Sequence, residues 1–222
     1  MGRGLFITGT DTDVGKTYVT ALLVKTLRSA GYDVGYYKAA ISGARTVEES
    51  DAGFVNRFAQ ICEPEDMLLS YLYQNAVSPH LAARIEGNPV EKDVIMSAWE
   101  RVTAAYPYVT MEGSGGIMCP IRHDEKAVYY LEDIIRGLCL PVLVIADAGL
   151  GTINRVVTTC EYIRRRNISV KGIILNHWKG GVMEEDNVEM IEEIIGMKVL
   201  ARVKKGDTAL DIDPETIISL YE

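Results

Sequence analysis

The run Gly9-Thr10-Asp11-Thr12-Asp13-Val14-Gly15-Lys16-Thr17 constrains the fold of this chain more than any other stretch. An apolar run, Leu5-Phe6-Ile7, precedes it and reads as a buried strand. Val19, Leu22, Leu23, Leu27 and Ala30 follow it on one face of a helix. Strand, glycine-bearing loop, Gly-Lys-Thr and helix, in that order, are the parts that hold a nucleotide phosphate. Backbone N–H groups of the loop and of the helix N-terminus point at the anion, and the helix dipole adds to their pull. In such an arrangement Lys16 reaches the terminal phosphates and the Thr17 hydroxyl ligates magnesium. The stretch from Thr10 to Val14 is one residue longer than the corresponding stretch of the commonest version, and Thr10 stands where a second glycine could be.

Beyond this loop, apolar strands alternate with amphipathic helices. Strands are expected over residues 34–39, 108–111, 142–146, 170–175 and 198–203. Ser50-Asp51 opens a helix carrying Phe54, Val55, Phe58 and Ile61, and Pro79 takes the first position of another. A longer helix over 91–105 turns Val94, Ile95, Ala98, Val102 and Ala105 inward. Others are expected over 131–138, 152–166, 184–195 (Val188, Ile191, Ile194 and Ile195 inward) and 214–221. Residues 65–90 are less regular, and 117–130 read as a connection of mixed character. Continuously apolar strands alternating with helices imply an α/β fold, a mostly parallel sheet covered by helices on both faces. With no repeat or linker, residues 1–222 are expected to form a single domain.

Bulk properties narrow the function. The net charge of −8 argues against a nucleic-acid surface. No apolar run approaches the roughly 18–20 residues of a membrane span, and no leader pattern precedes the first strand, so a cytoplasmic protein is expected. Cys62, Cys119, Cys139 and Cys160 show no metal-ligand spacing and are expected to be reduced and buried.

In a parallel sheet ligands bind beyond the C-terminal strand ends, and three such ends carry polar residues. Lys38 and Ser42 stand at the first, Glu112 before Gly113-Ser114-Gly115-Gly116 at the second, and Asn176 at the third. A carboxylate ending a buried strand near a phosphate loop suits magnesium, and glycines let backbone approach phosphates. Each residue also has a plainer interpretation. Glu112 could be a solvated turn residue, Lys38 a snorkelling lysine, Asp51 a helix-dipole partner and Asn176 a turn cap. His80 and His177 each read as structural histidines with respect to catalysis, and His123 as solvated.

Six segments together resemble the dethiobiotin synthetase family of ATP-dependent biotin-synthesis enzymes. They are the loop from Gly9 to Thr17, Lys38-Ala39-Ala40-Ile41-Ser42-Gly43, Ser50-Asp51-Ala52, Ser78-Pro79-His80-Leu81-Ala82-Ala83, Glu112-Gly113-Ser114-Gly115-Gly116 and Gly149-Leu150-Gly151-Thr152-Ile153-Asn154, in the family's order. The resemblance implies a P-loop NTPase-like fold. It also implies a reaction that joins 7,8-diaminopelargonate and carbon dioxide at the expense of ATP. A carbamate forms on one substrate amine, attacks the γ-phosphate, and the resulting carbamic–phosphoric anhydride is closed by the second amine. Dethiobiotin, ADP and phosphate result.

The resemblance also implies roles for residues. Lys38 and Lys16 are catalytic. Asp13, Val14, Gly15, Lys16, Thr17 and Tyr18 hold ATP, together with Asp51, Glu112, Gly113, Ser114, Gly115, Asn176 and His177. Thr17, Asp51 and Glu112 hold magnesium. Ser42 binds the carbamate or the amine that carries it. Leu150, Gly151, Thr152 and Asn154 take the substrate carboxylate, across the interface of a homodimer in this family. Three departures from the family pattern stand out: Ala39 where proline is usual, Arg155 where histidine is usual, and a proline-free turn Arg202-Val203-Lys204-Lys205. Two rivals share the loop style. An amidating synthetase of the cobyrinic acid type usually carries a second, glutamine-hydrolysing domain, for which 222 residues leave no room. A regulatory ATPase that partitions DNA or places division sites has a signature lysine early in its loop, and residues 9–13 contain none.

Overall fold

The computed structural model describes residues 2–222; Met1, the first residue of the expected single domain, lies outside them. Leu5, Phe6 and Ile7 are fully buried in β1 (Arg3–Gly9). The phosphate loop leads from it into α1 (Lys16–Ser29), which turns Val19, Leu22, Leu23 and Leu27 into the core. β2 (Val34–Ser42), α2 (Asp51–Phe58), α3 (Glu65–Leu68), β3 (Leu69–Tyr73), α4 (Pro79–Ile85) and α5 (Lys92–Ala105) follow. The chain continues through β4 (Tyr108–Gly116), β5 (Pro120–His123), β6 (Val128–Tyr130), α6 (Leu131–Gly137) and β7 (Val142–Asp147). It closes with α7 (Thr152–Arg165), β8 (Val170–Asn176), α8 (Val182–Ile195), β9 (Val199–Arg202) and α9 (Pro214–Ile218).

Among the described residues seven strands form one sheet in the order β3-β2-β4-β1-β7-β8-β9, and every neighbouring pair is parallel. β5 and β6 form a separate antiparallel ribbon. Strands β1 and β7 are buried along almost their whole length, as a sheet covered on both faces requires. From β1 the chain first builds towards β2 and β3, then crosses to β7, β8 and β9 on the other side. The reversal at β1 opens a crevice at the C-terminal strand ends, where the loop lies.

The α/β architecture matches the sequence pattern; several local expectations do not. Within residues 65–90 the helix expected at Pro79 is α4, but the short helix α3 and the edge strand β3, which pairs with β2, were not expected. Its Tyr71 and Tyr73 stack at 6.2 Å between ring centroids, and Ser70 Oγ shares a hydrogen bond with Tyr37 OH at 2.6 Å. Part of the mixed connection is the β5–β6 ribbon. β4 does not stop at Met111: it continues through Glu112 to Gly116 because Gly113 lies flat against Phe6 and Leu131, where a Cβ would come within 2.9 Å of both. Val94 and Ile194 flank the buried stripes of their helices and are 45% and 51% exposed, and Ala30 and Ala105 are exposed at helix ends. All four cysteines are free, but Cys62 and Cys139 are exposed.

Candidate active site

The phosphate loop is shaped by Gly15. Its φ of 83° is left-handed, and a Cβ there would lie 2.1 Å from Asn176 Nδ2. As N-cap of α1, Gly15 has no side chain to accept from the first-turn N–H groups, so these are left to an anion. Asp13 is also left-handed, at φ 60°. Val14 is buried beneath the loop, and Lys16 arches back to donate from Nζ to Asp11 O at 3.1 Å. Burial, followed by the charge of Lys38, lowers the Lys16 pKa, against the opposing pull of Glu112, Asp51 and Asp13.

Lys38 is not a snorkelling residue. It is 3% exposed in β2, directly opposite Glu112 of β4 in the parallel register. Its Nζ lies 2.7 Å from Glu112 Oε1 and 2.5 Å from Asp51 Oδ2. Burial works to lower the Lys38 pKa, but Glu112 and Asp51 outweigh it and raise it above the ordinary lysine value. Asp51 is the first residue of α2, a helix capped by Ser50 Oγ on Gly53 N. Burial pushes the Asp51 carboxyl up; the charge and hydrogen bond of Lys38, with contributions from Thr17 and Lys16, hold it lower.

Glu112 is 1% exposed, which removes the solvated-turn interpretation. Its Oε1 also accepts from Thr17 Oγ1 at 2.8 Å, and its Oε2 accepts from Tyr36 OH at 3.1 Å. Burial first, then the neighbouring carboxylates, raise the Tyr36 pKa well above the ordinary phenol value. Tyr36 carried no signal in the sequence, because a tyrosine in a buried strand reads as core.

The two carboxylates converge on one ammonium, with the Thr17 hydroxyl bonded to Glu112 beside it, so this cluster already accommodates a cation. Oxygen donors of this kind suit magnesium, which completes its coordination from phosphate and water. Among the described residues no group of three or more His, Cys, Asp or Glu is placed to hold a metal ion.

Lys16, Thr17, Lys38, Ser42, Asp51, Glu112, Ser114 and Gly115 line one cleft of about 320 Å³. Ser114 Oγ donates to Ala40 O at 2.6 Å and ties the ends of β4 and β2 together. A cavity of about 770 Å³ adjoins it, sharing Ser42, Ser114 and Gly115, with Ala76, Val77, Pro79 and Met118 as an apolar wall. Gly113 packs against Phe6 and Leu131 and does not line the cleft.

On the other side of β1, Asn176 ends β8, is 2% exposed and donates from Nδ2 to Val14 O at 3.0 Å. It therefore braces the phosphate loop as well as ending its strand. His177 is left-handed at φ 57°, and its Nδ1 lies 2.7 Å from Asp147 Oδ2. Asp147 Oδ1 accepts from Gly149 N at 2.7 Å; burial pushes the Asp147 carboxyl up, but the bonds from His177 and Gly149 N, with the charges of His177 and Arg155, together hold it below the ordinary carboxylate value. The Asp147–His177 pair was not legible in the sequence, since its members lie thirty residues apart. Tyr18 OH donates to Asp207 O, and Lys204 N donates to Asp207 Oδ2 at 2.8 Å. Trp178 N donates to Val203 O at 2.9 Å, and the Arg202 guanidinium lies over the Trp178 ring at 4.7 Å. The proline-free turn is held by these contacts. Leu150, Gly151, Thr152 and Asn154 form the start of α7 and line neither cavity; Leu150 is 84% exposed.

A family model described as AAA domain matches residues 3–209. The ATP-dependent dethiobiotin synthetase BioD of Brachyspira hyodysenteriae is 47% identical across the whole of both chains. The enzyme of the same name from Clostridium kluyveri is 41% identical over 98% of this chain and 92% of its own. Among solved structures, a ParA family ATPase from Chlorobium tepidum superposes with a TM-score of 0.58 at 12% identity, over 99% of this chain and 90% of its own. The MinC:MinD cell division complex of Aquifex aeolicus gives 0.57 at 14% identity, over 92% and 82%. At such identities the last two share the fold alone.

Proposed function

The chain belongs to the ATP-dependent dethiobiotin synthetases, and from that premise we propose how its residues divide the work of this ATP-dependent ligase of biotin synthesis. The substrates are 7,8-diaminopelargonate, carbon dioxide and ATP, and the products are dethiobiotin, ADP and phosphate. The supporting observation is the convergence of Lys38, Asp51 and Glu112 beside Lys16 in one cleft.

Attack of a carbamate on a γ-phosphate brings two anions together, so catalysis depends on positioned cations. Lys16 holds the β- and γ-phosphates at the N-terminus of α1. Lys38 lies between the carbamate and the γ-phosphate, where its charge matters most in the transition state. Ser42, at the mouth of the adjoining cavity, hydrogen-bonds the carbamate or its amine. Thr17, Asp51 and Glu112 would hold magnesium, which would neutralise phosphate charge. Asp13, Gly115 and Ser114 lie along the phosphates; Asn176 offers its Oδ1 and remaining N–H to the adenine edge, with Tyr18 and His177 alongside. The protein works as a homodimer in the cytoplasm. The start of α7 from one copy, with Leu150, Gly151, Thr152 and Asn154, receives the substrate carboxylate held in the other copy's cleft. The exposure of Leu150 and the uncapped N–H groups beside it support that arrangement. Among the described residues no helix is long and apolar enough to cross a membrane.

Lys38→Ala tests the assignment. Turnover should fall by at least about a thousandfold while ATP binding stays within a few-fold. A fall of less than about tenfold would remove Lys38 from the transition state.

A further inference from the structure

Glu112 is gripped by three donors, and one of them plays no part in the chemistry above. Tyr36 lies two residues before Lys38 on β2, so both side chains emerge on the same face of the sheet. The register pairs Lys38 with Glu112 and Tyr36 with Thr110, so the Tyr36 ring runs diagonally beneath the Glu112 side chain. Tyr36 is 1% exposed, and its hydroxyl donates to Glu112 Oε2. Oε1 alone takes the bonds from Thr17 and Lys38. A glutamate's terminal torsion is broad, so burial alone does not set which oxygen faces the phosphate loop. Among the described residues the Tyr36 hydroxyl is the one donor on Oε2.

We propose that Tyr36 is a positioning residue for the metal-facing carboxylate: by holding Oε2 it fixes the plane of Glu112 and aims Oε1 at Thr17 and the magnesium position. The proposal rests on Glu112 holding magnesium. Groups that orient a metal-binding side chain typically matter about 10–100-fold for metal affinity. Replacing Tyr36 by phenylalanine keeps the ring in its pocket and removes only the donor.

The test is calorimetric binding of ADP, with magnesium and with chelator, to the full chain and to its Tyr36→Phe and Glu112→Gln variants. In Tyr36→Phe, chelated ADP should bind within about twofold of the parent, which also reports a folded loop, while the gain from magnesium should shrink about tenfold. Glu112→Gln should lose most of that gain. If Glu112→Gln loses it and Tyr36→Phe keeps it, the positioning role is wrong and the metal assignment stands. Equal losses with and without magnesium would mean that Tyr36 supports the fold only, and would overturn the proposal. A Glu112→Gln variant with its gain intact would overturn the metal assignment and the proposal together.

Discussion

Lys38 and Glu112 are direct partners across neighbouring parallel strands, with Nζ 2.7 Å from Oε1 and both side chains almost completely shut off from solvent. A buried charge pair of this kind is costly to break from one side, because the survivor keeps its charge and loses its partner. Glu112→Leu alone should therefore cost about 3–5 kcal/mol of stability. Adding Lys38→Met should restore part of that loss. Urea unfolding of both single variants and the double variant measures the coupling.

The pair of Lys38 with Asp51 gives a two-sided pH dependence. Asp51, held below its ordinary 3.8, contributes stability that is present above that value and lost as pH falls through its folded pKa. Lys38, raised above its ordinary 10.5, contributes stability that is present below that value and lost as pH rises through its folded pKa. Lys38→Met should flatten both limbs in thermal melts taken across the pH range. Unchanged limbs would mean that other groups set them.

Gly15→Ala should damage the loop in two ways. A φ of 83° strains any L side chain by about 1–2 kcal/mol, and the new Cβ would displace Asn176 from Val14 O. Nucleotide affinity should fall at least about tenfold, more than the melting temperature alone would suggest. Fluorescence titration with ADP beside a thermal melt separates the two effects.

Leu150→Asp tests the proposed homodimer. An exposed leucine at the start of α7 has no packing role within its own chain. The variant should sediment as a monomer, bind ATP as before and lose turnover, since the other copy's cleft would lack its carboxylate site. A dimeric, fully active variant would place the interface elsewhere.

The sequence showed most of this site, for physical reasons. Gly15, Lys16 and Thr17 form a contiguous loop, and Lys38, Ser42, Glu112 and Asn176 lie where apolar strand patterns end. The parallel-sheet pattern was equally visible, because residues 5–7 of β1, 142–146 of β7 and 173–175 of β8 are unbroken apolar runs separated by helical patterns. What escaped depends on pairing across distance. β3 is an edge strand of leucines and tyrosines broken by Ser70, with no clean period. Tyr36 looks like core until the register sets it beneath Glu112. Asp147 and His177 meet only because β7 and β8 end side by side. Gly113 read as loop because a run of glycines suggests a turn, whereas it lets β4 pass close to Phe6.

The most direct measurement is the reaction itself. The protein is incubated with 7,8-diaminopelargonate, 13C-bicarbonate and magnesium–ATP, and the products are resolved by mass. Dethiobiotin carrying the label in its ureido carbon, formed together with one ADP per ring closed, is the expected result. ATP hydrolysis without labelled dethiobiotin would contradict it.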